Sequence, residues 1–232
     1  FSCSIQLAEA QRNSELLAQC LEELGDLWRR QGQFDKAEDL QNKARVCARD
    51  AGLFNLEAHA VNNLAVITVE SGDLGKAVEL LHEALTLLQK VPEPLLEGHI
   101  YNNLGVISCI KGAPEDAIVD LTRALSFRSQ ARDQRGFAET SHNMGMAYID
   151  IGDLNEADEL LNKALRITTQ TGDQYTEANI LLSRAELFTK LKDPVIAGNC
   201  AQKALKIHRL FNDPLGIADA ERIIGESETA LL

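Results

Sequence analysis

Small residues recur along this 232-residue chain at an interval of 40. Gly25, Ala65, Gly105, Gly145, Ala185 and Gly225 form one column. Ala37, Ala77, Ala117, Ala157 and Ala197 form a second, and Ala44, Ala84, Ala124, Ala164 and Ala204 a third. A fixed period of this order marks a repeat architecture, in which each unit buries its apolar face against its neighbours. The columns also define the unit. A residue without a bulky side chain lets two helices approach closely, so one small position in a first helix and two in a second describe a tight helical hairpin.

The turn residues agree with that reading. Gly32, Gly72, Gly112 and Gly152 form a fourth column, broken by Lys192, at the place where a first helix ends in the left-handed conformation that glycine tolerates best. Asp73, Asp153 and Asp193 follow directly and are placed to cap the second helix. Pro114 and Pro194 occupy the first turn of second helices, and Pro94 and Pro214 that of first helices. Asp133, Asp173 and Asp213 form a further column at the turn between repeats. The pattern predicts first helices near 16–31, 55–71, 94–111, 134–151 and 174–191, and second helices near 34–51, 74–91, 114–132, 154–172 and 194–212. The expected fold is all-α, a solenoid of antiparallel helix hairpins with about five full repeats and half-repeats at both ends. It reads as one domain, 1–232, with repeats about 17–56, 57–96, 97–136, 137–176 and 177–216 and half-repeats 1–14 and 217–232.

Tyr101, Asn102, Asn103, Leu104 and Gly105, followed by Ala117 and Ala124, resemble the tetratricopeptide signature of a large residue, Leu-Gly and two later alanines. Trp28, Tyr148 and Phe188 fill the large-residue column later in the first helix. The resemblance covers nearly the whole chain. Its spacing exceeds the common form of about 34 residues. In that it is similar to mitotic-spindle orientation scaffolds, kinesin light chains and the sensor portions of many bacterial regulators. The resemblance implies a right-handed superhelix with longer helices and a concave groove, lined by first helices, in which ligands lie.

Shifted by 40, residues 1–13 fall on 41–53, which sets Ser4 in the Ala44 column and Ile5 in the Leu85/Leu125 column. The chain is therefore expected to begin inside the second helix of an earlier repeat. It is expected to end after one first helix, Leu215–Leu232. A fragment cut from a longer protein is the favoured expectation; a stack capped by half-repeats is the other.

Composition excludes several functions. A net charge of −12 argues against nucleic acid and against anionic membrane surfaces. It is compatible with steering basic partners, although a solvated acidic outer face explains it more simply. Cys3, Cys20, Cys47, Cys109 and Cys200 are odd in number and lack a CxxC pair, so neither a disulfide framework nor a zinc site is indicated. Cys47 shares its column with Leu87, Phe127, Ile167 and Ile207, and Cys200 with Leu40, Leu80 and Leu160, which reads as core. There is no P-loop, GxGxxG, HExxH or nucleophile elbow, so no enzyme activity and no cofactor are expected. No apolar run is long enough to span a bilayer. The expected location is cytoplasmic. The chain starts at Phe1 without an initiator Met, which leaves a removed targeting segment open.

The face of the first helix opposite the core carries Gln19, Glu23, Asp26 and Arg30 in the first repeat. One and two repeats on, it carries His59, Asn63, Val66 and Glu70, then His99, Asn103, Val106 and Ile110. Glu139, Asn143, Met146 and Asp150 follow, then Asn179, Ser183, Glu186 and Lys190. Two features make it a candidate binding surface. Asn63, Asn103 and Asn143 form a column of side chains with two donors and an acceptor each, suited to the backbone of a peptide. The resemblance to kinesin light chains and spindle scaffolds implies the same role; holding neighbouring helices together is the alternative. Val66, Val106, Ile110 and Met146 are apolar on a face that should be wet, which usually marks a binding surface. His59 and His99 are expected to line the groove as polar groups, without a third ligand to make a metal site. The leading expectation is a protein-protein interaction module for a peptide or helical segment. The alternative is a sensor or regulatory segment of a larger bacterial regulator or signalling protein, binding a signal peptide or its own chain. Self-association through open half-repeat ends is a third reading.

Overall fold

Alanine sets the spacing of every hairpin. All ten residues of the two alanine columns, Ala37 to Ala197 and Ala44 to Ala204, are at most 1% exposed. The computed structural model describes residues 6–8 and 10–231. Among the described residues eleven long helices follow one another: α1 (Ser14–Arg30), α2 (Phe34–Asp50), α3 (Phe54–Glu70), α4 (Leu74–Leu88), α5 (Pro94–Ile110), α6 (Pro114–Gln130), α7 (Gln134–Ile151), α8 (Leu154–Thr171), α9 (Gln174–Lys190), α10 (Pro194–Phe211) and α11 (Pro214–Ala230). No strand occurs among the described residues. The fold is an all-α solenoid of helix hairpins. Ser4 and Ile5, which carry the expected register of an earlier repeat, lie outside the described residues.

Capping chemistry starts the helices where the sequence places them. Asp73, Asp153 and Asp193 accept from the backbone N–H three residues on, at Lys76, Glu156 and Ile196. Asp133, Asp173 and Asp213 do the same for Gly136, Thr176 and Gly216, so the inter-repeat column caps first helices. Left-handed residues then recur every 20 positions, at Arg12, Gly32, Gly52, Gly72, Gly112, Arg132, Gly152, Gly172, Lys192 and Asn212. Lys192, which breaks the glycine column, still takes φ +58°. Arg132 and Lys192 adopt this conformation despite a cost of roughly 1–2 kcal/mol. The series skips Pro92, whose ring fixes φ near −65° and forbids the turn. The helix expected over 74–91 therefore stops at Leu88.

The chain divides into two compact units, residues 1–107 and 108–232. In the first, Ala58, Val61 and Ala65 of α3 pack with Ala77, Leu81, Ala84 and Leu88 of α4, and with Leu96, Ile100, Leu104 and Ile107 of α5. In the second, Ala138 and Ile149 of α7, Ala157, Leu161 and Ala164 of α8, and Ile180 and Leu187 of α9 form one cluster. A Cβ on Gly145 would stand 3.0 Å from Leu161 Cδ2, so the small-residue column marks a true close approach. Cys20 and Cys200 are buried, whereas Cys47 and Cys109 are half-buried.

One pairing is absent from the sequence expectations. Residues 48, 88, 128, 168 and 208 are Ala, Leu, Arg, Thr and His, each at most 2% exposed. Eight positions on stand Leu56, Leu96, Gly136, Thr176 and Gly216. The two large polar members face the two glycines. A Cβ on Gly136 would run into the Arg128 guanidinium, and one on Gly216 into the His208 ring. The capping aspartate of the same turn lies against each: Arg128 pairs with Asp133, and His208 Nδ1 lies 3.0 Å from Asp213 Oδ2. Leu88 and Leu96 fill the equivalent space with two aliphatic side chains. Gly136→Leu is expected to destabilise by about 1–3 kcal/mol through overpacking. Combining it with Arg128→Leu, which copies the Leu88/Leu96 pair, should recover much of that loss. A double-mutant cycle by urea unfolding measures the coupling, expected at roughly 1–3 kcal/mol.

Candidate functional site

The face opposite the core belongs to the first helices, and its side chains interlock between repeats. In the unit of residues 1–107, Asn63 Nδ2 donates to Glu22 Oε1 at 3.1 Å, and Asn103 Nδ2 donates to Asn62 Oδ1 at 3.2 Å. Arg29 Nη1 donates to Glu70 Oε1 at 2.8 Å. In the unit of residues 108–232, His142 Nε2 and Ser183 Oγ lie 2.8 Å apart, and Lys190 Nζ lies 3.5 Å from the Ile149 carbonyl. Each pair is separated by 41 residues. Successive first helices run parallel, so one period plus one residue brings side chains level across the seam.

Asn63 and Asn103 thus have a structural use. Asn63 and Asn103 each commit one N–H to the preceding first helix. By valence, an Asn amide has a second N–H and a carbonyl oxygen beyond that bond. Asn143 is half-buried on α7.

His59 stands between two carboxylates. Its Nε2 is 2.9 Å from Glu93 Oε1, and its Nδ1 is 3.7 Å from Glu22 Oε1. Burial raises the Glu22 carboxyl above its ordinary range. His59 and the Asn63 hydrogen bond oppose that shift, while Glu23 and Glu93 add to it. His99 is exposed one repeat later. Among the described residues no three His, Cys, Asp or Glu side chains converge on a metal position.

The apolar members divide by exposure. Val66 and Val106, in the first unit, are half-buried between neighbours. Ile110 and Met146, in the second unit, are 57% and 41% exposed. On first helices of the same unit stand Glu139 and Glu186, whose carboxyls burial also holds above the usual range. These carboxylates are the part of the face that the asparagine-and-valine reading passed over. They stand in the columns of His59 and Val66, where a change from neutral to acidic residues was visible in the sequence.

These features define a helical-hairpin repeat protein with an exposed, partly apolar first-helix face. Two tetratricopeptide repeat family models match, one over residues 136–210 and one over residues 58–91. The chain carries tetratricopeptide repeats over these two segments. No curated protein matches it in sequence. Among solved structures, BtubC (BKLC) from P. vanneervenii is similar at 23% identity and TM-score 0.75, over 91% of this chain and 89% of that one. A signal transduction ATPase with numerous domains and a tetratricopeptide repeat sensor, from Pyrococcus horikoshii, is similar at 18% identity and TM-score 0.80. That match covers 95% of this chain but 33% of the ATPase. YrrB, a TPR protein with an unusual peptide-binding site, is similar at 18% identity and TM-score 0.54, over 95% and 97% of the two chains. No helix among the described residues is long and apolar enough to cross a membrane.

Two predictions follow from the seam. Asn103→Ala removes the donor that the buried Asn62 oxygen uses, and should cost about 1–2 kcal/mol in denaturant unfolding. Burial pushes the His142 imidazole from 6.5 down to about 4. Between those values the unfolded chain binds the proton and the folded chain does not. The His142 contribution is therefore fully present above pH 6.5 and is lost as pH falls towards 4. Urea unfolding from pH 7.5 to 4.5 should show this loss, and His142→Gln should flatten it.

Proposed function

We propose that the chain is a non-catalytic protein-interaction module that takes a peptide or helical segment of a partner along its first-helix face. The observation that carries the reading is the exposure of Ile110 and Met146 on a face that, in the unit of residues 108–232, is otherwise lined by polar side chains. Large apolar side chains left in water at one place gain by being covered, at about 25 cal/mol per Å² of apolar surface. The second N–H and the carbonyl of Asn63 and Asn103 supply hydrogen bonds to a peptide backbone at half-buried positions. The proposed surface residues are His59, Asn63, Val66, His99, Asn103 and Val106 in the first unit, and Ile110, Asn143 and Met146 in the second. YrrB, with its peptide-binding site, supports this use of the fold.

The similarity to the sensor-bearing ATPase supports a second reading, a sensor segment that binds a signal peptide or another part of its own protein. Both readings place the ligand on the same face. The partner is a polypeptide in either case, and neither reading calls for nucleic acid, a membrane or a cofactor.

Affinity capture with the full-length protein tests the proposal. Ile110→Asp and Met146→Asp are expected to weaken partner recovery at least about tenfold with the melting temperature unchanged, because both side chains are exposed. Val119→Asp, on the exposed face of a second helix, should leave recovery intact. Loss with the Val119 variant and retention with the other two would place the binding surface on the second helices instead.

A further inference from the structure

The kind of partner follows from what surrounds the exposed apolar pair in the unit of residues 108–232. Glu139, Asp150 and Glu186 lie on the same first-helix face as Ile110 and Met146. The 36-residue step that brings Arg222 Nη2 within 3.6 Å of Glu186 also separates Asp150 from Glu186, and Ile110 from Met146. Asp150 and Asp219 both bear on Glu186 electrostatically. The face is thus an apolar pair set among carboxylates, not a uniform acidic surface.

The cations nearby are already committed. Lys190 reaches the Ile149 carbonyl. Arg222 is shared among Glu186, Asp219 and Glu226, at 3.6, 4.0 and 3.0 Å. Arg128 is 2% exposed, pairs with Asp133, and reaches Glu139 at 3.7 Å. Glu139 and Glu186 keep 54% and 43% of their side chains exposed, so an incoming group can reach them. Burial raises both carboxyls; Arg128 opposes this at Glu139, and Arg222 and Lys190 at Glu186, while Asp133 and Asp173 push Glu139 further up and Asp219 and Asp150 do so for Glu186. A cation arriving there gains more than one meeting a fully hydrated carboxylate, because the anion lacks part of its water.

We propose that this face takes a basic peptide segment, with Lys or Arg flanking an apolar side chain that covers Ile110 and Met146. The proposal rests on the interaction-module reading above and specifies its ligand. Arginine suits the carboxylates through bidentate hydrogen bonds. Methionine in the floor adapts to more than one apolar anchor. Acidic or phosphorylated segments are repelled by the same charges.

A phage-displayed random dodecapeptide library, panned against the full chain, tests both levels. Enriched peptides are expected to be cationic with an apolar residue between the charges. Their binding should weaken about tenfold in Glu139→Gln/Glu186→Gln, whose circular dichroism stays unchanged, and should fall as salt rises from 50 to 300 mM. Neutral or acidic peptides that are lost with Met146→Asp but indifferent to the Gln variant would overturn the basic-ligand proposal and leave the module reading standing. Failure to enrich any peptide, or enrichment of peptides indifferent to Met146→Asp, would overturn both.

Discussion

Everything in this fold depends on two helices closing over alanine. The ten alanines of the second-helix columns are essentially without solvent contact. A methyl group is the largest side chain that the gap admits without pushing the helices apart, since helix axes pack about 8–10 Å apart according to the side chains between them. Repeat proteins are held by contacts within a repeat and to its nearest neighbours, so each hairpin must close correctly for the next to dock. That requirement makes the period strict and leaves the opposite face of each first helix free to vary.

The proposed binding role follows from that freedom. First helices meet their neighbours edge to edge through pairs 41 residues apart: Glu22 with Asn63, Asn62 with Asn103, His142 with Ser183. These bonds fix each helix and present the remaining groups in register. Beyond the seam, the face changes along the sequence from histidine, asparagine and valine to glutamate, asparagine and methionine. A seam held by side-chain pairs beside a variable stripe is a physical basis for the binding proposed above.

Much of the fold was legible because its determinants are small and local. Alanine columns, capping aspartates and N1 prolines each have one mechanical use, and the helices lie where those residues place them. The exceptions have physical causes. Pro92 cannot take the left-handed turn, so α4 ends early. Lys192 takes it without being glycine. Arg128 and His208 are polar by type, yet they are buried because Gly136 and Gly216 yield the volume, with the capping aspartates beside them. Comparing columns eight residues apart would have revealed the exchange.

The candidate surface was legible only in part. Its residues lie on the first helices, but a side-chain column cannot tell a ligand contact from a seam contact. Asn63 and Asn103 join the seam because their partners, Glu22 and Asn62, sit one column away. Exposure separates Ile110 and Met146 from Val66 and Val106, and exposure depends on the neighbouring repeat.

Site-specific photo-crosslinking in the full-length protein tests the central claim most directly. A benzophenone amino acid is placed in turn at Met146, on the first-helix face, and at Val119, on a second helix, both exposed. Partner adducts from position 146 and none from position 119 are predicted. Adducts from position 119 alone would contradict the assignment of binding to the first helices.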